Sequence, residues 1–194
     1  MTSSLNQDEQ RSLLLLARAS IQQVLDGGQA LETLVDETQL TPGLREPRGA
    51  FVSLKQPPKE GQRTGSLRGC IGCMVSRKAL YRTVIDLASK AAFHDPRFPP
   101  LVADELPRVR IEISALTPTR PLGSPDDLVI GRDGVHLSKG AASAVFLPQV
   151  APEHGWTVEV LLRELALKAG LPRDGWREVD LDVFTAEVFR EPDG

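Results

Sequence analysis

The order of elements legible in the sequence, roughly α-β-β-α-β-β-β-β-α-β, predicts an α+β fold with a largely antiparallel β-sheet and flanking helices. Three observations carry this reading. Apolar residues recur at helical spacing in three separate stretches. One stretch alternates strictly, with Val109, Ile111, Ile113 and Ala115 against Arg110, Glu112 and Ser114, which is the period of a strand with two unlike faces. Strands and helices do not alternate regularly, as repeated parallel crossovers would require. A length of 194 residues admits one domain or two small lobes, and an apolar fraction of 41 % is enough to build a core.

The elements follow in order. Asn6, with Glu9 three residues on, opens the first helix as a capping box. Leu13, Leu16, Ala17, Ile21, Val24 and Leu25 form its apolar stripe, and Gly27-Gly28 ends it. Residues 29–48 read as extended loop with a short helical turn. Residues 50–55 (Ala-Phe-Val-Ser-Leu-Lys) read as a strand. Residues 56–65, with Pro57-Pro58, Gly61 and Gly65 among charges, read as a surface connection to a hairpin-paired second strand over 67–74. Ser76 is placed to cap a helix over 77–92, whose apolar face is Leu80, Val84, Leu87, Ala88 and Ala91. Residues 94–100 and 118–125 are proline-bounded loops. Residues 128–130 and 135–137 flank Gly131-Arg132-Asp133-Gly134 as a hairpin, and 144–147 adds a short strand. Thr157 caps a helix to Ala169, closed by Gly170 and Pro172, and residues 182–190 read as one final strand.

Composition excludes several function classes. A net charge of −3 argues against a general phosphate-backbone binder, and six Phe without basic–aromatic interleaving argue the same way. The longest apolar run near the N-terminus, residues 13–17, falls far short of the ~20 residues that span a bilayer. The N-terminus has no basic start followed by an apolar core, so no signal peptide is expected. Two cysteines are too few for a disulfide-stapled secreted fold. These features together predict a cytoplasmic protein with no membrane partner.

The most unusual stretch is Leu67-Arg68-Gly69-Cys70-Ile71-Gly72-Cys73. Strand alternation puts Arg68 and Cys70 on one face, where a guanidinium would favour the thiolate that attacks electrophiles. Gly69 and Gly72 would leave the backbone open on either side of that thiol, with room for a ligand. The alternative is a small buried hydrophobe in a strand. Cys70 and Cys73 match C-x-x-C, yet three residues apart on a strand their sulfurs point to opposite faces, unless a bulge at Gly72 intervenes. A zinc site would need two further ligands, and His94, His136 and His154 show no paired spacing. No metal site is therefore expected, and the cofactor, substrate and reaction stay unknown.

The loop His94-Asp95-Pro96-Arg97-Phe98 follows the helix that this strand feeds. It sets an imidazole, a carboxylate and a guanidinium on one short rigid segment. One reading is a base or anion clamp reaching over Cys70, and the other is a helix-end histidine with a local Asp95–Arg97 ion pair. Phe93 and Phe98 read as core anchors. Glu112 on the polar face of its strand is a candidate acid or base, or else faces water. Gln149 is a candidate hydrogen-bonding residue for a ligand. Residues 131–134 lack the G-x-G-x-x-G pattern and a following helix, so no nucleotide loop is assigned.

Several stretches resemble the AMMECR domain family, whose prokaryotic members are called AmmeMemoRadiSam system protein A. The resemblance rests on Leu67-Arg68-Gly69-Cys70-Ile71-Gly72, on Asp95-Pro96-Arg97-Phe98-Pro99-Pro100-Leu101, on Glu105-Leu106-Pro107 and on Ile111-Glu112-Ile113-Ser114-Ala115-Leu116-Thr117. It continues through Ile130-Gly131-Arg132-Asp133-Gly134, Leu147-Pro148-Gln149-Val150, Gly155-Trp156, Lys168-Ala169-Gly170-Leu171 and Trp176. It implies a unit of two intertwined lobes with the Cys70 strand lining a cleft. It also implies partnership with a Memo-like protein and a radical SAM enzyme, by the name of the system. Cys73 departs from the family, which usually carries a residue such as Thr there. That leaves Cys70 as the thiol of interest, with Arg68, His94 and Glu112 as catalytic candidates and Gly69, Gly72, Asp95, Arg97 and Gln149 as ligand-binding candidates. A thiol-dependent enzyme and a non-catalytic module that binds a small molecule or those partners are the two functional expectations.

Overall fold

The computed structural model describes residues 4–28, 35, 38, 40–57 and 65–192. Most of the loop expected at 29–40 and of the connection at 58–64 lies outside these residues. The chain forms two compact units, one from the segments before Thr117 and from Glu187 on, the other from Thr117–Ala186. The fold is α+β, and each unit has its own four-stranded sheet.

The first unit begins with α1 (Gln7–Leu25). The Asn6 side chain accepts the Glu9 N–H, and the Glu9 carboxylate accepts the Asn6 N–H, so two orphan donors of the first turn are satisfied reciprocally. After α2 (Pro42–Arg45), the expected short turn, come β1 (Ala50–Lys55) and β2 (Leu67–Cys73). Then follow α3 (Leu80–Phe93) and β3 (Arg110–Leu116). The sheet order is β2-β1-β3-β8, where β8 is Ala186–Arg190, and β1 pairs antiparallel with both β2 and β3. One face of the sheet supplies Ala50, Val52, Leu54, Ile111, Ile113 and Ala115 to the core, against Leu13, Ala17 and Ile21 of α1 and Leu80, Val84 and Ala88 of α3. Each fully buried Leu or Ile in this cluster stabilises by roughly 1.5–3 kcal/mol.

α3 starts three residues later than its sequence suggests. The Ser76 hydroxyl meets Thr83 Oγ1 at 2.8 Å and accepts the Lys78 N–H instead of capping. Ala79 takes the N-cap position, bridges Pro47, and the Leu80 N–H donates to the Glu46 carbonyl. A tertiary partner has replaced the local cap.

The second unit contains β4 (Arg120–Pro121), β5 (Gly134–Lys139), β6 (Ala142–Phe146), α4 (Val150–His154), α5 (Val158–Lys168) and β7 (Leu181–Phe184). Its sheet runs β4-β7-β5-β6, with antiparallel pairing at each junction. Val135, Leu137 and Val183 pack with Leu161, Leu162 and Leu165 of α5. Thr157 caps α5 as expected, accepting the Val160 N–H.

Two sequence expectations are corrected here. The hairpin is β5–β6, not 128–130 with 135–137. The Val129 N–H donates to the buried Asp133 carboxylate, which Arg132 also holds, so this stretch closes a local loop rather than a ladder. The final strand is two strands: β7 belongs to the second unit's sheet and β8 to the first. Thr185 breaks them apart, accepting the Thr117 N–H on its carbonyl and donating its own N–H to Thr117 Oγ1.

Candidate functional site

β2 lies at the edge of its sheet, and Cys70 sits at its centre. Register places Cys70 opposite Ser53, and Ser53 opposite Glu112. Directly opposed residues share a face, so Cys70, Ser53 and Glu112 form one row across three strands, on the side away from the helices. The Ser53 hydroxyl donates to Cys70 Sγ at 3.1 Å. Glu112 is buried, and its Oε1 lies 2.8 Å from Lys55 Nζ. Ile71 and Cys73 pack instead against the helical side of the core. Both cysteines are free and half-buried.

The loop after α3 closes the open edge of β2 at Cys70. The Asp95 carboxylate accepts the Cys70 N–H at 2.8 Å, and Arg97 Nη2 donates to the Cys70 carbonyl at 3.1 Å. Asp95 also accepts the Arg97 backbone N–H, Nε and Nη2. The pair thus supplies the donor and acceptor that a neighbouring strand would supply. Asp95 is buried, and the Arg97 guanidinium, with help from the Cys70 N–H, outweighs that burial and holds its carboxyl well below the usual range. Asp95 is therefore a fixed anion at neutral pH. Arg97 is raised, first by its hydrogen bonds to Asp95, which outweigh the lowering by burial, and to a smaller extent by Cys70. Its guanidinium lies 5.5 Å from the ring centre of Phe98.

Arg68 occupies a different environment from the one expected. Leu54 pairs with Gly69 and Lys55 with Leu67, so Arg68 is the extra residue of a β-bulge. Its buried side chain donates through Nε and Nη2 to both oxygens of Glu105, at 2.7 and 2.8 Å. Nη1 is buried with no hydrogen-bond partner among the described residues. The bulge interrupts strict alternation, and Arg68 answers Glu105 rather than the thiol. Glu105 is held below its ordinary range by Arg68 and by the Val102 N–H.

The glycines do not leave the open space expected of them. A methyl group on Gly69 would lie 2.1 Å from the Ala91 carbonyl oxygen, and one on Gly72 would lie 2.1 Å from Phe51 Cδ1. Gly69 lets α3 approach the strand, and Gly72 lets an aromatic ring lie across it. His94 is exposed at the end of α3, where its N–H donates to the Lys90 carbonyl. Gln149 belongs to the second unit, at the start of α4, and its Oε1 is buried without a hydrogen-bond partner among the described residues.

The structure therefore gathers Cys70, Asp95 and Arg97 tightly, aligns Glu112 with Cys70 through Ser53, and leaves His94, Arg68 and Gln149 with other surroundings. Ser53, Lys55, Phe51 and Glu105 were not singled out from the sequence. Alternation alone groups Phe51, Ser53 and Lys55 on one face, but their partners depend on a register that a long connection hides. Among the described residues no group of three or more His, Cys, Asp or Glu could hold a metal ion, and no helix is long and apolar enough to cross a membrane.

Fold and site together define an α+β protein with a half-buried thiol on a clamped edge strand. Residues 14–189 match the family model AMMECR1, and the chain belongs to that family. It is similar to Protein MK0488 of Methanopyrus kandleri, 40 % identical over 100 % of this chain and 95 % of the relative. It is also similar to Protein PF1979 of Pyrococcus furiosus, 40 % identical over 92 % and 86 %. The crystal structure of an uncharacterized protein, PH0010 from Pyrococcus horikoshii, matches with a TM-score of 0.84 at 37 % identity, over 93 % of this chain and 90 % of that one.

Proposed function

We propose that the chain is a thiol-dependent enzyme in which Cys70 is the nucleophile, acting in one system with a Memo-like protein and a radical SAM enzyme. The observation that carries the reading is the environment of the sulfur. A hydroxyl donates to it, and the Arg97 guanidinium donates to the carbonyl of the same residue. Both put hydrogen-bond donors beside a nucleophile at Cys70. Arg97 takes the part expected of Arg68, stabilising the thiolate or an anionic substrate from a side chain that is about half exposed. Glu112, one strand beyond Ser53, is placed to exchange protons along the row, and the exposed His94 is free to do so from the rim. The partner assignment rests on the family resemblance.

The test is alkylation by iodoacetamide with peptide mapping across a pH series. Cys70 should label faster than Cys73, and Arg97→Ala should slow Cys70 about tenfold at neutral pH. Equal and slow labelling of the two cysteines would remove the enzyme reading. The filled space at Gly69 and Gly72 favours a second reading, a non-catalytic binding module. Under it, co-purification with the Memo-like or radical SAM partner survives Cys70→Ser while no turnover is found.

A further inference from the structure

We propose that the cavity between the free end of the β2 edge and the outer face of α3 is a binding site for a small phosphate-bearing molecule. The cavity holds about 350 Å³ and lies wholly within the first unit, with Ile71–Cys73 as one wall and α3 as the other. That volume sits at the small end of ligand sites, enough for a phosphorylated metabolite of a few carbons.

Three features define its chemistry. The first is charge. Arg77, Lys78 and Lys90 line the cavity against a single carboxylate, Asp86. Asp86 Oδ2 lies 2.9 Å from Lys90 Nζ and 4.0 Å from Lys78 Nζ, which ties both ammonium groups to the same wall. Arg77 is exposed and has no ion-pair partner among the described residues. The second is hydroxyl groups. Ser76 and the buried Thr83 bond to each other at 2.8 Å within the lining, and whichever of the two accepts that bond has its own proton to turn toward an incoming oxygen.

The third is the strand itself. The backbone N–H and C=O of Cys70 point outward from the sheet, where Asp95 and Arg97 take them. Two residues on, Gly72 repeats that orientation. Asp95 and Arg97 do not reach it, and among the described residues its outward N–H and C=O have no hydrogen-bond partner. The cavity lies against this uncovered step of the edge. Two point-like ammonium groups, a guanidinium, a hydroxyl donor and, on the opposite wall, a backbone N–H suit the spread oxygens of a phosphate better than the flat fork of a carboxylate, which a lone bidentate arginine would serve.

The site does not involve the Cys70 sulfur, so its test is separate from that of the thiol. Inorganic phosphate and glycerol 3-phosphate are titrated into the labelled full chain, with amide NMR shifts of Gly72, Ser76 and Thr83 as readout. Chloride at matched ionic strength is the reference. Saturable shifts at these three amides are expected, tighter for glycerol 3-phosphate, unchanged in Cys70→Ser and weakened about tenfold in Arg77→Ala. Arg77 is exposed, so that variant keeps the fold, and an unchanged amide spectrum elsewhere verifies it. Non-saturating shifts, an equal response to chloride, or undiminished binding in an Arg77→Ala, Lys78→Ala double variant would overturn the proposal.

Discussion

At the scale of the residue, Gly72 shows how a position that suggests an opening can be a packing requirement. The Phe51 ring lies where a side chain on Gly72 would be, with Cδ1 2.1 Å from an ideal Cβ. Gly72→Ala is expected to destabilise the protein by about 1–3 kcal/mol, because the ring must leave its rotamer or the strand must shift. The double variant Phe51→Ala, Gly72→Ala should recover part of that loss relative to the sum of the single changes, since the clash is gone. Urea denaturation of the four proteins measures the coupling, and additive behaviour would show that the ring is not the obstacle. Gly69→Ala meets the Ala91 carbonyl, which cannot rotate away, and should cost more than Gly72→Ala.

At the scale of the element, β2 is an edge strand whose exposed backbone is covered at one point by a side-chain clamp. Asp95 accepts four hydrogen bonds there, from Cys70 and Arg97. Asp95→Asn keeps the shape but removes the charge and turns one acceptor into a donor facing the Cys70 N–H or Arg97. A loss of about 2–4 kcal/mol in unfolding free energy is expected, with faster hydrogen exchange at the Cys70 amide than at Val52 in the neighbouring strand. Unchanged exchange at Cys70 would mean that the loop is not what protects the edge. The clamp joins the loop after α3 to the residue that carries the thiol, through its N–H and its carbonyl.

At the scale of the whole molecule, stability should fall on acidification, and the pH window follows from named groups. Asp95 and Glu105 are held below their ordinary values of 3.8 and 4.5 by Arg97 and Arg68. Burial pushes Glu187 up, but Arg48, the Leu5 N–H and Ser4 outweigh it and hold it low as well. A carboxyl lowered in the folded state stabilises fully above its unfolded value and loses that contribution as pH falls through its folded one. Stability should therefore be level near neutrality and decline below about pH 4.5, where Glu105 and Glu187 begin to bind protons in the unfolded chain. Asp95→Asn should flatten the lowest part of that decline. Thermal unfolding followed from pH 7 downward checks it, and a midpoint that rises on acidification would contradict the sign.

Much of the fold was legible. The capping box at Asn6 and Glu9, the alternation of residues 109–116 and the Thr157 cap all act through neighbours a few positions apart, so the sequence displays them directly. The C-x-x-C geometry was legible for the same reason, since a strand sends residues 70 and 73 to opposite faces. The site was legible only as a list of types. Arg68 was expected beside the thiol because alternation is a local rule, and a bulge set by pairing with β1 broke it.

What the sequence by itself determined is the main helices and strands with locally encoded caps or alternation, and which residues are apolar enough for the core. The tertiary structure alone decided that Ser53 faces Cys70, that Arg68 goes to Glu105, that Arg97 reaches the Cys70 carbonyl, and that residues 181–190 divide between two sheets. Those outcomes depend on register, bulges and contacts between residues tens of positions apart. The free energies that select them come from burial and hydrogen bonding in the assembled units, and no local pattern in the chain encodes them.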